Sequence, residues 1–390
     1  MATAACPVVH AAFYLWYATP AHDGKWAHWD HAVLPHWSEA TRLRFPHGMP
    51  FRPPEEPHSP FYPSRGLYSS ADPLALKDQM QELAHAGVDT VMLSWWGRAD
   101  ANIRRDSQGV STDELVPAVL EAAAAAGIGV TWHLEPYGGR SPATVREDLH
   151  YLHRRYGGHP GVWRQSRGES DEDGPLVPVV FLYDVSAEHS GPSEADRQRA
   201  AAAWKEVATA IRGTAHDAML ISLYVDERDV AFVSAAGLDG AYSYFAAEGF
   251  THGAQSRSWA HITRRLAKDG KTFFPSVGPG YNDTLIRPWN YEQTHSRDEG
   301  RYYDRMWEAA VGAQPAAITI TSYNEWGEGT QIEPARPHTS ANGSVYADYA
   351  PNPANYYMGR TKVWAEHARS GGCRRRGLRR SADQGMTDEL

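Results

Sequence analysis

Two glutamates separated by two residues, Glu325 and Glu328, are the clearest candidates for chemistry in this chain of 390 residues. They lie in the stretch ITITSYNEWGEGTQIEP, where Gly327 and Gly329 give the peptide the composition of a loop. Two carboxylates at this spacing can converge on one small substrate and divide the acid and base roles between them. Cleavage of a glycosidic bond is the reaction class that most often needs such a pair. From spacing alone, the alternative is a solvated acidic loop.

The residues before this loop are rich in β-branched side chains and predict a buried strand that delivers the glutamates past its carboxyl end. Seven other apolar runs resemble it, so the predicted strands cover residues 10–17, 88–96, 128–137, 177–184, 218–226, 240–245, 272–277 and 316–323. Helical patterns cover residues 73–86, 112–126, 142–156, 193–212, 256–268, 297–312 and 355–370.

This alternation predicts an α/β fold, a (β/α)₈ TIM barrel in a single domain over residues 10–370, with elaborated rim loops. Residues 1–9 are then an N-terminal extension, and residues 371–390 a basic tail that is predicted to be disordered. An open doubly wound sheet is the alternative fold. It is disfavoured because no glycine-rich phosphate motif follows the first strand.

Barrels of this kind hold their chemistry at the carboxyl ends of the strands. The residues at those ends are mostly aromatic or acidic: Trp16, Tyr17, Trp95, Trp96, His133, Glu135, Tyr183, Asp184, Asp226, Glu227, Tyr242, Tyr244 and Asn324. Two long segments lie between strands. Residues 19–70 are expected to fold over the rim, and residues 278–290 contain the glycines and prolines of a turn that would aim Arg287 inward.

The composition narrows the class of protein. A net charge of −9 argues against a general nucleic-acid binder, which needs a basic surface to neutralise phosphates. Fourteen tryptophans and twenty tyrosines suit the faces of sugars as well as a protein core. No stretch approaches the roughly 18 apolar residues of a membrane span, and the N-terminus lacks a signal segment, so a soluble chain is expected.

Other chemistries are less well supported by the sequence. Four histidines in the first long segment invite a metal interpretation: His22, His28, His31 and His36. They form no H-E-x-x-H motif and have no cysteine set beside them, so neither a metal nor a cofactor is predicted. Asp226 and Glu227 form a second acidic pair, but neighbours on a strand point to opposite faces. Cys6 and Cys373 are the only cysteines, and the sequence leaves open whether they form a disulfide.

Several stretches together resemble glycoside hydrolase family 99, the endo-α-1,2-mannosidase family. They are FYLWY, DGKWAHWDHAVLPHW, FYPSRGLYSSADP, LSWWG, HLEPYGGR, DGAYSYFAAEGF, PSVGPGYNDTLIRPWN and SYNEWGEGTQIEPA, and they span residues 13 to about 367. The last two are long and specific. The resemblance covers nearly the whole chain apart from the basic tail.

The resemblance implies a barrel that hydrolyses internal α-mannosidic bonds of N-glycans or mannan with retention of configuration. It further implies that no protein carboxylate attacks the sugar. Glu325 would take a proton from the 2-hydroxyl, which closes a 1,2-anhydro sugar, while Glu328 would protonate the departing oxygen. An ordinary double displacement also uses two carboxylates and stays open as a mechanism.

The same resemblance places Tyr244 and Arg287 against the reacting sugar. It also implies that further residues contact that sugar or its neighbour, namely Tyr17, His133, Glu135 and Asn324. Trp96, in LSWWG, tilts the specificity towards mannose, rather than glucose, on the non-reducing side. The substrate partner is therefore a mannose-containing glycan. A catalytically inactive carbohydrate-binding barrel and a barrel hydrolase acting on another glycan are the alternative functions. The compartment stays open, a Golgi or other secretory location being suggested by the family alone, and so does the oligomeric state.

Overall fold

The computed structural model describes residues 5–99, 105–167, 174–186, 193–370 and 373. Within these ranges, nine strands form one nearly closed parallel sheet in which strand order follows the chain. The strands are Val8–Phe13, Thr90–Trp95, Gly129–Leu134, Val177–Leu182, Met219–Leu223, Gly240–Tyr242, Thr272–Phe274, Ser276–Val277 and Ala317–Ile320. With helices between them, this sheet confirms the predicted (β/α)₈ barrel.

Closure of the barrel depends on one interrupted strand. Thr272–Phe274 pairs with Gly240–Tyr242, whereas Ser276–Val277 pairs with Ala317–Ile320 on the other side. Only Pro275 separates the two pieces, and proline has no N–H to donate to a ladder. Its carbonyl still accepts a hydrogen bond from the N–H of Thr319 at 2.9 Å. The nine strands therefore occupy eight positions around the barrel.

The helices between the strands are Pro73–His85, Val116–Ala126, Pro142–Tyr156, Glu194–Ile211, Asp229–Ala235, Trp259–Ala267 and Arg301–Gly312, and Tyr356–Ala368 follows the last strand. No helix was predicted from the sequence at Asp229–Ala235. This helix has only seven residues, so it repeats the helical period less than twice. Two four-residue helices, Pro20–Asp23 and Glu39–Arg42, lie in the first long segment.

Side chains along each strand point alternately into the barrel and outward to the helices, so they form two apolar layers. Even-numbered residues of the first strand pack inside the barrel with Phe181, Ile221 and Phe274. Odd-numbered residues pack outward against helical side chains such as Leu76 and Met80. The predicted strands ran too far at their carboxyl ends. Tyr14, for example, lies beyond the first strand, because both of its backbone polar groups bond to the side chain of Asn324.

The two ends of the described chain are joined covalently. Cys6, just before the first strand, forms a disulfide with Cys373. The rest of the predicted basic tail, residues 371–372 and 374–390, lies outside the described residues. Among the described helices, none has the length and apolar content of a bilayer-spanning segment.

Candidate active site

The loop that carries the two glutamates starts just after the last barrel strand. Ser322 Oγ accepts a hydrogen bond from the backbone N–H of Glu325 at 2.8 Å. Gly327 passes so close to His58 that a Cβ there would lie 2.6 Å from Cε1 of the histidine ring. Gly329 has a φ of +62°, which favours glycine. The two glycines therefore let the loop pass tightly against the rim segment.

Glu325 is buried, with only 6% of its surface exposed. Its Oε1 accepts a hydrogen bond from the N–H of Gly327 at 3.1 Å, whereas Oε2 has no hydrogen-bond partner among the described residues. Burial raises the pKa of Glu325 well above its usual range, and the charge of Glu328 raises it further, against the opposing effect of Arg287. This carboxyl group is thus suited to exchanging a proton with a ligand.

Glu328 is more accessible, with a quarter of its side chain exposed (25%). Its Oε1 accepts a hydrogen bond from Nη1 of Arg287 at 3.1 Å. Burial raises the pKa of Glu328, the nearby cation of Arg287 lowers it, and the charges of Asp283 and Glu135 raise it again. Both glutamates therefore have raised pKa values, which favours retention of a proton by the pair near neutral pH.

Arg287 is held in place by a buried carboxylate. Asp283 is completely buried and accepts hydrogen bonds from Arg287 Nη1 at 3.0 Å and from Asn290 Nδ2 at 3.1 Å. The neighbouring Asn282 donates its backbone N–H to the carbonyl of Glu328 at 2.8 Å. The turn in residues 278–290 thus directs Arg287 at Glu328, the inward direction expected from its glycines and prolines.

A second set of polar residues lines the neighbouring strand ends. His133 contacts Glu135 Oε1 through Nδ1 at 2.8 Å and the hydroxyl of Tyr242 through Nε2 at 2.7 Å. Glu135 Oε1 also accepts a hydrogen bond from Ser94 Oγ at 2.8 Å, and that hydroxyl accepts one from the indole N–H of Trp96 at 3.2 Å. The charge of Glu135 acts on both catalytic candidates. Trp96, His133 and Glu135 therefore belong to one connected cluster beside the glutamates.

Three tyrosines complete the wall of the site. Tyr14 and Tyr244 are hydrogen-bonded through their hydroxyls, and the ring of Tyr183 meets that of Tyr244 edge-on at 5.2 Å. Tyr244 has a φ of +54°, which is rare for an aromatic residue, and its N–H donates to Ser276 Oγ at 2.6 Å. Burial, followed by neighbouring anionic groups, raises the pKa values of Tyr14 and Tyr244. Both phenols therefore remain protonated hydrogen-bond donors.

Tyr17 and Asn324 lie behind the glutamates. The hydroxyl of Tyr17 donates to the carbonyl of Asn324 at 3.0 Å and accepts from the N–H of Trp326 at 3.0 Å. Asn324 is completely buried, and its amide bonds to the backbone of Tyr14 and to the hydroxyl of Tyr68. Both side chains have their polar atoms engaged with the protein, so they are placed to hold the loop rather than to face a ligand.

Four contributors to this arrangement were not singled out from the sequence, namely Tyr14, Tyr68, Asp283 and Glu333. The alternation of the first strand puts even-numbered residues inside the barrel and could have identified Tyr14. The i,i+4 spacing of Asp283 and Arg287 was a second available signal. Glu333 has little local signal, because its partners Tyr68 and Gln79 lie more than 250 positions away in sequence, and Trp326 is its near partner.

The histidines of the first long segment have individual partners. His22 Nε2 lies 3.6 Å from Asp72, His28 Nε2 lies 2.7 Å from Asp106, and His36 stacks on Trp37 at 3.8 Å. His31 lies with its ring 5.7 Å from that of His28. Across the described ranges, no group of three or more His, Cys, Asp or Glu residues has the arrangement of a metal site.

The second acidic pair is separated from the two glutamates. Asp226 bonds to Arg228 Nη2 at 2.5 Å and to Arg197 at 3.5 Å. Glu227 has 78% of its side chain exposed and faces His252 at 3.4 Å. These contacts assign Asp226 to ion pairs with two arginines and leave Glu227 at the surface beside His252.

The geometry therefore brings together two interacting carboxyl groups, one guanidinium and protonated phenols at the carboxyl end of the barrel. Such a set can donate and accept protons on either side of a bond in a neutral, hydroxyl-rich ligand. The aromatic walls lower the local polarity, which strengthens the electrostatic interactions of the carboxyl groups.

Comparison with known proteins matches these features over nearly the whole chain. The model of the family described as "Glycosyl hydrolase family 99" matches residues 6–370. The chain is 38% identical over 366 residues to a glycoprotein endo-alpha-1,2-mannosidase-like protein of Mus musculus, covering 92% of this chain and 76% of that protein. It is 38% identical over 363 residues to a glycoprotein endo-alpha-1,2-mannosidase of Rattus norvegicus, covering 92% and 74%. The solved structure of the GH99 endo-alpha-mannosidase from Bacteroides thetaiotaomicron superimposes with a TM-score of 0.80 at 34% identity, covering 93% of this chain and 97% of that one.

Proposed function

The chain belongs to glycosyl hydrolase family 99, and from this premise we propose that it is a retaining endo-α-1,2-mannosidase acting on N-glycans or mannan. As a member of that family it is a glycoside hydrolase. The family, together with the names of its relatives, supports endo-α-mannosidase activity. The finer parts of the proposal are the linkage, the mechanism and the roles of individual residues.

The first step breaks the bond between the anomeric carbon and the departing oxygen. In an α-mannoside this oxygen and the 2-hydroxyl can become trans-diaxial, so the 2-oxygen is aligned for attack from the back. Glu325 accepts the 2-hydroxyl proton as the 2-oxygen bonds to the anomeric carbon. Glu328 donates its proton to the departing oxygen. The products are a 1,2-anhydro sugar and the free reducing-side fragment.

The second step opens the anhydro ring with water. Glu328, now ionised, takes a proton from the water molecule while the oxygen of that water bonds to the anomeric carbon. Glu325 returns its proton to the 2-oxygen. Each step inverts the anomeric carbon, so the two together retain its configuration. Both glutamates end in the protonation states in which they began.

The observation that carries the proposal is the difference between the environments of the two glutamates. Glu325 is deeply buried with an unpaired Oε2, while Glu328 is more accessible and bonded to Arg287. The reaction needs the proton of the pair to lie on Glu328. A 2-hydroxyl that donates to Glu325 stabilises the ionised form of that residue, and so favours this distribution on substrate binding.

Two sets of residues are proposed to surround the sugars. Tyr244 and Arg287 contact the reacting mannose, and His133 and Glu135 contact it or its neighbour on the non-reducing side. Trp96, joined to Glu135 through Ser94, borders the neighbour. The indole of Trp96, where a smaller ring could stand, favours mannose over glucose as that neighbouring sugar. Tyr17 and Asn324 position the loop from behind.

Product analysis tests the proposal directly. The protein is incubated between pH 5 and 8 with α-1,2-linked mannan fragments that carry either a mannose or a glucose cap. Release of a capped disaccharide that first appears as the α-anomer is expected, faster from the mannose-capped substrate. Tight binding without product would instead favour a carbohydrate-binding barrel, and cleavage of a β-linked polymer would favour a different glycosidase.

A further inference from the structure

An aromatic surface at the rim is not used by the proposed chemistry. Trp37 has 85% of its surface exposed, and Tyr291 has 76%. Tryptophan is normally among the more buried side chains, and exposed apolar surface that is contiguous often marks a binding site. Trp37 lies in the first long segment, residues 19–70, and Tyr291 directly follows the second, residues 278–290.

Trp37 belongs to a cluster that we call the aromatic platform, formed by His36, Trp37, Phe45 and Trp289. The imidazole of His36 stacks on the indole of Trp37 at 3.8 Å, and Trp289 meets both rings at nearly right angles, at 5.1 and 6.4 Å. Phe45 packs on Trp289 at 6.5 Å. The partners of Trp37 thus fix its ring and leave most of it open to solvent.

The aromatic platform is connected to the active site through the backbone. The backbone N–H of Leu34 donates to the carbonyl of Ile286 at 2.9 Å, which joins the two rim segments. Trp289 follows Arg287 by two residues, and Arg287 is bonded to Glu328. Because Glu328 is assigned to the departing oxygen and Arg287 is bonded to it, we infer that the platform two residues beyond Arg287 is on the leaving-group side of the cleaved bond.

We propose that the aromatic platform is a saccharide-binding subsite for the reducing-side part of the glycan, with the open face of Trp37 stacked on a hexose ring. The inference rests on the proposed function for its direction along the glycan. A pyranose presents a face of C–H groups that packs on an aromatic ring, while its hydroxyls remain in water. An endo-acting enzyme needs such contacts, because its substrate continues on both sides of the cleaved bond.

Kinetics on long and short substrates test this subsite. Trp37→Ala is expected to raise KM about tenfold for a long α-mannan oligosaccharide, the loss typical of a tryptophan at the centre of a binding surface. The same variant should leave kcat/KM unchanged for a mannobiosyl fluoride, which has no sugar on the reducing side. Equal effects on both substrates, or no effect on the long one, would overturn the subsite.

Leu74→Ala is the matched control, because Leu74 is 70% exposed on helix Pro73–His85 and lies outside the aromatic platform. It should leave KM unchanged on both substrates. Equal melting temperatures of the two variants and the wild type would exclude unfolding as the cause of an altered KM. A loss of substrate affinity in Leu74→Ala equal to that in Trp37→Ala would overturn the assignment.

Affinity electrophoresis in gels containing α-mannan gives a readout that does not require turnover. The wild-type protein should be retarded, and Trp37→Ala should be retarded clearly less. Retardation together with an absence of cleavage would refute the proposed function and retain the aromatic platform as a glycan site. Unchanged retardation of Trp37→Ala would refute the aromatic platform as a glycan site. A change in the sedimentation coefficient of Trp37→Ala without a change in retardation would also refute it, because it would indicate that the platform contacts another copy of the chain.

Discussion

Arg287 donates hydrogen bonds from one nitrogen, Nη1, to Glu328 Oε1 at 3.1 Å and to Asp283 Oδ2 at 3.0 Å. One cation thus lies between a carboxyl group proposed to move a proton and a carboxylate that is completely buried. The buried aspartate fixes the guanidinium and also adds a negative charge near Glu328. The protonation of Glu328 therefore depends on both partners.

Substitution of Asp283 tests this dependence. Asp283→Asn removes a charge that raises the pKa of Glu328 and leaves Arg287 free to act on Glu328 alone, so that pKa should fall. Glu328 must be protonated to act as the acid. The alkaline limb of the kcat/KM profile should therefore move to lower pH, measured on an α-1,2-linked mannan fragment. A shift to higher pH would contradict the arrangement.

The acid and base roles separate on substrates with different leaving groups. Glu328→Ala should lower kcat on a natural glycan by about 10²–10⁴-fold but spare much of the turnover of an activated mannosyl fluoride, which needs no proton on departure. Glu325→Ala should abolish turnover of both, because the 2-hydroxyl must still lose its proton. Steady-state kinetics of both variants on both substrates make the comparison. Equal losses for Glu328→Ala on the two substrates would remove its assignment as the acid.

The buried Glu325 should make the folded state less stable at neutral pH. Its pKa is raised in the folded protein, so between the ordinary value near 4.5 and the raised value the folded state binds more protons than the unfolded state. Stability contributed by this group is complete below about pH 4.5 and is lost as pH rises through the raised pKa. Glu325→Gln should therefore melt a few degrees above the wild type at pH 7 to 8.

This advantage should disappear near pH 4.5 and below. Thermal melts of Glu325→Gln and wild type across the pH range measure it. If Glu325→Gln were less stable than the wild type at pH 8, or if the difference in melting temperature did not depend on pH, ionisation of Glu325 would not destabilise the folded state. Stabilisation on loss of a catalytic group is the usual trade between activity and stability.

Tyr68 links the loop of the glutamates to a buried carboxylate. Its hydroxyl donates to Glu333 Oε2 at 2.8 Å and accepts from the side chains of Asn324 and Trp326, both at 3.3 Å. The indole of Trp326 also donates to Glu333 at 2.9 Å. Because Asn324 and Trp326 flank Glu325, these hydrogen bonds position the proposed base.

Tyr68→Phe should lower kcat about tenfold with little change in KM, since misplacement of a reacting group affects the chemical step more than binding. Its pH profile should also shift, as water reaches Glu325 and lowers the pKa of that carboxyl. Tyr303→Phe is the control, because its buried hydroxyl bonds to Thr361 on the last helix, away from the loop. If the role of Tyr68 were purely structural, Tyr68→Phe would have the same melting temperature as Tyr303→Phe. The pH profile of its activity would then be unchanged.

The Cys6–Cys373 disulfide should contribute to stability but not to catalysis. It joins residues 367 positions apart, so it restricts the unfolded chain strongly, and disulfides typically contribute about 2–4 kcal/mol. Cys6 precedes the first strand and so lies at the end of the barrel away from the glutamates. Cys6→Ser should lower the melting temperature and leave kcat at 25 °C unchanged. A melting temperature equal to that of the wild type under oxidising conditions would contradict this role.

Local sequence patterns were sufficient for the fold. Alternating apolar runs and helical periods predicted eight strand positions, because those patterns depend only on near neighbours along the chain. The short helix Asp229–Ala235 was not predicted for the same reason, because seven residues contain fewer than two repeats of the helical period. The glutamates themselves followed from a strand that ends in a glycine-containing loop.

The sequence by itself determined the barrel, the family and the loop on which Glu325 and Glu328 lie. Only the tertiary structure decided that Arg287 meets Glu328 across 41 positions and that Tyr68 meets Glu333 across 265. It also decided which carboxyl group is buried. Burial and hydrogen bonding set the pKa of a group, and both come from segments that are distant along the chain, so no local pattern could have specified them.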